Sequence, residues 1–372
     1  MADEKAHSWM RQALALAQRA VGISEPNPRV GCVIVSADGM RLFGEGSTQP
    51  AGQAHAEVMA LRDAQARGHD VRGATAYVTL EPCSHHGRTG PCCDALAAAG
   101  IARVVASIGD PNPKVRGQGF ERLRAAGIQV ETGPGADESR ELNLGFFSRM
   151  VRGTPWVRMK FAASLDGRTA LDNGRSQWIT GEAARTDGHA WRARAGAVLT
   201  GIGTVLEDDP RLDVRLVPAT RQPHVVVVDS KLETPLDAKV LGPGRTVLLY
   251  CAVDDRARRA ALESRGATVV ALPGAGGKVD LAAAMRDLAL REINELHVEA
   301  GFKLNGSLVR EGLVDEFLVY LAPMLMGQGR GMVNIGPFEA LRDAVALQWR
   351  DVGRVGDDLR MVARVPGRDA FG

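Results

Sequence analysis

One histidine, two cysteines and one glutamate stand closest to recognisable chemistry in this sequence. His55, Cys83 and Cys92 offer an imidazole and two thiolates. That makes three protein ligands for a tetrahedral Zn2+ with a fourth position left for water. Glu57 follows His55 by two residues and would stand beside the metal without ligating it. A Lewis acid, a water whose pKa falls towards about 7 and a carboxylate to move its proton together form a hydrolytic site. A structural zinc knuckle is the rival reading, but it normally has four protein ligands and needs no adjacent carboxylate. Its fourth ligand would be Cys93, His85 or His86. Cys92 and Cys93 are adjacent at the mouth of a helix, where successive side chains diverge by about 100°, so both rarely reach one metal.

The elements that must hold these residues alternate between strand and helix. An apolar helix over 8–20 and a Pro-rich loop over 24–30 lead into a strand over 31–36, with Asp38-Gly39 as a hairpin turn. His55 opens a helix running to residue 67. A strand over 74–80 ends in the cysteine loop, and an Ala-rich helix over 94–99 closes at Gly100. A strand over 102–108, a helix over 120–126 and a strand over 128–131 complete an α/β sheet domain. His86 and Arg88 lie in the long insert between the two cysteines. Arginine's planar fork suits phosphate, so both are candidates for substrate contact, and Lys114 is a further one.

TLEPCSHHGRTGPCCDAL (79–96), with NPRVG at 27–31 and HAE at 55–57, resembles the deaminase half of the bifunctional deaminase/reductase family of riboflavin biosynthesis. H-x-E followed by P-C and a second cysteine is also the pattern of zinc nucleobase deaminases. The resemblance implies a cytidine-deaminase-like three-layer domain acting on a diaminopyrimidinone that carries a ribosylamino 5′-phosphate. Asn27 would then lie on the pyrimidine side of the pocket.

The second half reads as βαβ units. Strands over 155–163, 197–200, 224–229, 246–251, 268–272 and 296–299 alternate with helices over 182–195, 255–265 and 280–292. The runs 316–321 and 347–365 have no helix between them, so an antiparallel sheet edge is expected. No G-x-G-x-x-G opens a helix after the first strand, which leaves a Rossmann site unsupported. The loop 301–307 follows a strand and precedes a helix, so its amides could take phosphate. Lys160 lies in a largely apolar strand and calls for pairing or catalysis, with Glu299 as its partner. MKFAASLDGRTA (159–170), SQWIT (176–180), TVLEDDPRLDVR (204–215) and VEAG (298–301) resemble the reductase half of the same family. That implies a dihydrofolate-reductase-like fold and NADPH. Ala162, Trp178, Thr204, Asp208, Ser230 and the segment Gly301, Phe302, Lys303, Leu304, Asn305, Gly306 and Ser307 would line the cofactor. Ser176, Arg192, Leu212, Arg215 and Glu299 would meet the substrate.

With 372 residues the chain exceeds one ordinary core. The expected boundary lies in the apolar and basic connector 145–154, giving a zinc-dependent pyrimidine deaminase domain over 1–148 and an NADPH-dependent reductase domain over 149–372. A formal net charge of +2 argues against nucleic acid as the main partner, and no run reaches membrane-spanning length. Five cysteines, three of them at the zinc motif, fit a reducing cytoplasm. The expected partners are a small phosphorylated pyrimidine and further copies of the chain. A nucleic-acid deaminase, or a deaminase with a non-catalytic C-terminal module, is the alternative.

Overall fold

The computed structural model describes residues 2–87, 90–113 and 115–371. The chain divides into two compact units, one holding Met1–Arg152 and Phe371, the other Gly153–Ala370. The first unit runs α1 (Ala2–Arg19), β1 (Gly31–Val35), β2 (Leu42–Ser47), α2 (Ala56–Ala66), β3 (Thr75–Val78), α3 (Cys92–Ala98), β4 (Arg103–Ala106), α4 (Gln118–Ala125), β5 (Gln129–Thr132), α5 (Ala136–Leu142) and α6 (Leu144–Arg152). Its sheet has the order β2-β1-β3-β4-β5. The first two pairings are antiparallel and the last two parallel.

Side-chain alternation along these strands builds the three layers. Val33, Val35, Tyr77 and Val105 meet Met10, Ala13 and Leu16 of α1 on one face. Cys32, Ile34, Val78 and Val104 meet Ala56, Ala60 and Leu96 on the other. Gly44 and Gly46 let α2 lie directly on β2, since a Cβ at Gly44 would stand 2.2 Å from the Ala60 carbonyl oxygen. That contact holds the α2 N-terminus, and with it His55, against the sheet.

The second unit runs β6 (Trp156–Ser164), β7 (Arg168–Leu171), α7 (Glu182–Arg194), β8 (Ala197–Gly201), α8 (Ile202–Asp208), β9 (His224–Val228), β10 (Val247–Cys251), α9 (Arg256–Glu263), β11 (Ala267–Ala271), α10 (Leu281–Leu290), β12 (Glu295–Val298), α11 (Phe302–Arg310), β13 (Glu316–Ala322), β14 (Gly329–Gly331), β15 (Gln348–Val355) and β16 (Asp358–Arg364). Its nine-stranded sheet has the order β11-β10-β9-β8-β12-β6-β13-β16-β15. The strands are parallel from β11 to β13 and antiparallel at β13–β16–β15. The expected antiparallel edge is therefore present, built by a hairpin within 347–365.

Three expectations change. The connector 145–154 is mostly helix, because α6 buries Phe146 and Phe147 in the core of the first unit. The division falls after Arg152, inside the expected connector 145–154 but four residues beyond the domain end of 148. The segment 301–307 is not a loop ahead of a helix: Gly301 caps α11, and the next six residues are its first turns.

Candidate functional sites

His55 is the N-cap residue of α2, and Cys92 is the first residue of α3. Cys83 lies in the loop that leaves β3. The sheet thus brings two helix starts and one loop to the same end. His55 Nδ1 lies 3.6 Å from Cys83 Sγ and 3.4 Å from Cys92 Sγ, and the three donor atoms lie within 4.8 Å of one another. Around zinc, with Zn–N near 2.0 Å and Zn–S near 2.3 Å, a tetrahedral N···S edge is about 3.6 Å. The donors fit the metal. Among the described residues no fourth His, Cys, Asp or Glu joins the cluster. Cys93 turns away, its thiol donating to the carbonyl oxygens of Pro82 (3.2 Å) and Gly119 (3.4 Å). The rival four-ligand knuckle thus loses its thiolate candidate.

Glu57, buried in the first turn of α2, faces this cluster. Burial, then the charge of Cys83, pushes its carboxyl up to about 7. Cys83 is drawn down to about 4, first by its hydrogen bond with the Cys92 side chain. The Cys92 backbone N–H also donates to the Cys83 sulfur at 3.3 Å. Cys92 moves the opposite way: its contact with the Cys83 side chain, then burial, pushes its thiol up.

A cleft of about 800 Å3 opens beside His55, lined among others by Gln49, Gln53, Arg62, His86 and Asp94. Asp94 is taken up by Arg122 at 2.7 Å. Arg62, seven residues beyond His55 on the same helical face, has no carboxylate partner among the described residues. Sequence reasoning passed over Arg62, whose signal was the i, i+4, i+7 row of His55, Met59 and Arg62. Asn27 sits in a turn, its backbone N–H donating to the Ser24 carbonyl oxygen at 2.8 Å. Arg88 and Lys114 lie outside the described residues.

The second unit carries a separate cleft of about 880 Å3, where Thr204, Ser230, Gly301, Phe302, Lys303, Leu304 and Ser307 all take part in the lining. Asn305 and Gly306 do not. Asn305 is buried, its amide donating to Ala300 O at 2.9 Å, and a Cβ on Gly306 would meet Asn334 O at 2.1 Å. Helical periodicity places these two on the packed side of α11. Ala162, Trp178 and Asp208 are also not among the lining residues. Trp178 is 66% exposed, with the Arg185 guanidinium 4.7 Å above its ring. Lys278 and Arg330 line the cleft without having been singled out in the sequence.

Glu299, just past β12, is a buried carboxylate held by charged side chains of two elements. Arg192 of α7 meets it side-on, Nε to Oε1 and Nη2 to Oε2, the latter at 2.9 Å. Lys160 Nζ lies 3.7 Å from Oε2, the pairing expected from sequence. Arg192 and Lys160 hold the Glu299 carboxyl well below its ordinary range despite burial. Arg192 also donates to Asp213 O at 3.0 Å, and Arg215 N donates to His189 Nδ1 at 3.1 Å. The 213–215 segment is thus tied to α7. Leu212 buries its side chain in the core and adopts a left-handed φ of 53°, so only its backbone can face a substrate. Ser176 is half-buried in the loop before α7.

Two family models match the chain. The cytidine and deoxycytidylate deaminase zinc-binding region covers residues 3–108, and the RibD C-terminal domain covers 155–361. Riboflavin biosynthesis protein RibD of Escherichia coli (strain K12) is 47% identical over 365 residues, covering 94% of this chain and 97% of the relative. That of Aquifex aeolicus (strain VF5) is 40% identical over 352 residues, covering 95% and 96%. The solved structure of Acinetobacter baumannii RibD superposes with a TM-score of 0.88 at 42% identity, over 97% of this chain and 99% of that one. A deaminase/reductase from Thermotoga maritima gives 0.86 at 31% identity, over 98% and 100%. A zinc-fitting deaminase-like unit and a reductase unit in one chain, matched over nearly full length, establish that the chain belongs to the RibD family of riboflavin biosynthesis proteins.

Proposed function

We propose that the chain carries out two consecutive steps of riboflavin biosynthesis: hydrolytic deamination of a diaminopyrimidinone ribosylamino 5′-phosphate, then reduction of its ribosyl side chain to ribityl with NADPH. The observation that carries this reading is the tetrahedron-sized triangle of His55, Cys83 and Cys92 facing buried Glu57.

When bound by these three side chains, zinc supplies the Lewis acidity that acidifies a water. Glu57 accepts the water's proton and returns it to the departing nitrogen, which leaves as ammonia. Arg62 and His86 line the adjoining cleft and take the ribosyl phosphate, together with Arg88. Asn27 lies towards the pyrimidine.

In the reductase unit a nicotinamide cofactor held by Thr204, Ser230 and the start of α11 would supply the hydride that reduces the opened imine form of the sugar. Lys160 gives the proton to the imine nitrogen, and Glu299 and Arg192 hold the sugar-facing wall. Lys278 and Lys303 line the cofactor cleft without an ion pair among the described residues, which favours the extra phosphate of NADPH over NADH. The exposed edge strand β15, with Trp349 65% and Val352 57% accessible, supports a homo-oligomer. Five free thiols support a reducing cytoplasmic setting.

The test mixes zinc-loaded protein with the diaminopyrimidinone phosphate and NADPH and follows ammonia and the near-ultraviolet absorbance of NADPH. Both should change, ammonia first. Ammonia release without NADPH consumption would reduce the second unit to a binding module.

A further inference from the structure

His297 lies on the central strand β12, two residues before Glu299 and on the same face of the sheet. It is fully buried. Its register partner on β6 is Arg158, so it stands between two charged clusters. Below it, Arg158 pairs with Glu295 at 2.9 Å and Glu316 at 2.6 Å, and Arg194 donates to Glu295 at 2.8 Å. Above it, Arg192 and Lys160 surround Glu299. Neither ring nitrogen of His297 completes an aligned hydrogen bond among the described residues, yet Nε2 lies 3.4 Å from Glu299 Oε1.

A buried imidazole without a partner is costly, and an apolar residue would fill the same space without that cost. Glu295 and Glu316 are already committed to the three arginines Arg158, Arg194 and Arg364. A carboxylate within reach of the ring is Glu299, whose Oε1 lies 3.4 Å from Nε2. An ionised carboxylate only accepts, so the nitrogen facing it must be Nε2–H. Burial pushes the imidazole's pKa down, which favours the neutral ring with one donor and one acceptor nitrogen.

We propose that His297 is a positioning residue of the reductase site, its Nε2–H fixing Oε1 of Glu299 so that Oε2 stays turned towards Lys160 and the reacting sugar. This rests on the assignment of reduction to Glu299 and Lys160. His297 touches neither substrate nor cofactor; it acts through the orientation of Glu299.

Three full-length, zinc-loaded variants test it, each supplied with the deaminated intermediate and NADPH. His297→Leu keeps the volume and removes the donor. Its kcat for NADPH oxidation should fall about tenfold or more, the order expected for a lost hydrogen bond to a charged group, while KM for NADPH stays at the wild-type value. His297→Gln, whose amide N–H can stand where Nε2–H stood, should recover most of the rate. His297→Asn, which places its amide near the other ring nitrogen, should not. Wild-type kcat in His297→Leu, or Asn rescuing as well as Gln, would overturn the proposal. If His297→Leu fails to melt cooperatively, the Gln and Asn pair decides alone. No NADPH oxidation by the wild-type protein would instead refute the reductase assignment.

Discussion

Glu57 can be separated from the metal ligands by chemistry, because it lies beside the donor triangle without belonging to it. Glu57→Gln keeps the shape and removes the proton carrier. Zinc content should stay at one per chain while ammonia release falls by about 10²-fold or more, the usual worth of a general acid/base. Full deamination by the Gln variant would end the assignment. The two adjacent cysteines give a second residue-scale contrast. Cys92 Sγ faces His55 at 3.4 Å, whereas Cys93 Sγ donates to two backbone carbonyls. Cys92→Ser should therefore lose zinc in metal analysis and Cys93→Ser retain it, with the second variant less stable because a buried sulfur loses its fit. Which of the two turns to His55 shows only in the packing of α3. That Cys92 and Cys93 would not both reach one metal was legible in the sequence, since successive helical side chains diverge. The side-on hold of Arg192 on Glu299 was not, because nothing local in α7 signals a partner 107 residues away.

At the scale of elements, the metal loop is anchored by a carboxylate that no motif argument singled out. Glu81, two residues before Cys83, is buried and accepts backbone N–H groups from Asp110 (3.1 Å), Gly117 (3.0 Å), Gly119 (2.9 Å) and Phe120 (3.3 Å). It thereby ties the end of β3 to the start of α4, whose N-cap Gly117 has no side chain to cap it. Gly119 is needed for the approach, because a Cβ there would stand 2.1 Å from Pro82 O. Orphaned buried N–H groups cost about 1–3 kcal/mol each. Glu81→Ala should destabilise the protein by at least about 2 kcal/mol in thermal or denaturant unfolding and weaken zinc retention against a chelator. An unchanged melt would show that water replaces the carboxylate without loss. The same scale separates what pattern could reveal from what it could not. Strands β1, β3 and β4 and helix α2 followed from alternation and spacing. Helices α5, α6 and α8 were missed because they are short and their apolar residues sit beside glycines and charges that read as loop. Segment 301–307 was misplaced for a related reason: Gly301 and Gly306 suggested a loop, whereas Gly306 is there to let α11 approach residue 334.

For the whole molecule, the two chemistries divide with the chain. His55, Glu57, Cys83 and Cys92 all precede Arg152, while Lys160, Arg192, His297 and Glu299 all follow it. Each unit has its own sheet and its own buried clusters, Cys32 to Phe147 in the first and Val157 to Phe317 in the second, so neither needs the other's strands to complete a core. Removing charge from one site should therefore leave the other working. Glu299→Ala strips Arg192 and Lys160 of their shared carboxylate and should abolish NADPH oxidation while ammonia release continues near the wild-type rate. Glu57→Gln should do the reverse once the deaminated intermediate is supplied, since the reductase site contains none of its atoms. Both variants are measured as full-length protein, and a cooperative melt near that of the wild type guards against simple unfolding. If Glu299→Ala silenced ammonia release in a folded protein, the first reaction would depend on the state of the second site. The two halves would then have to be treated as one coupled enzyme.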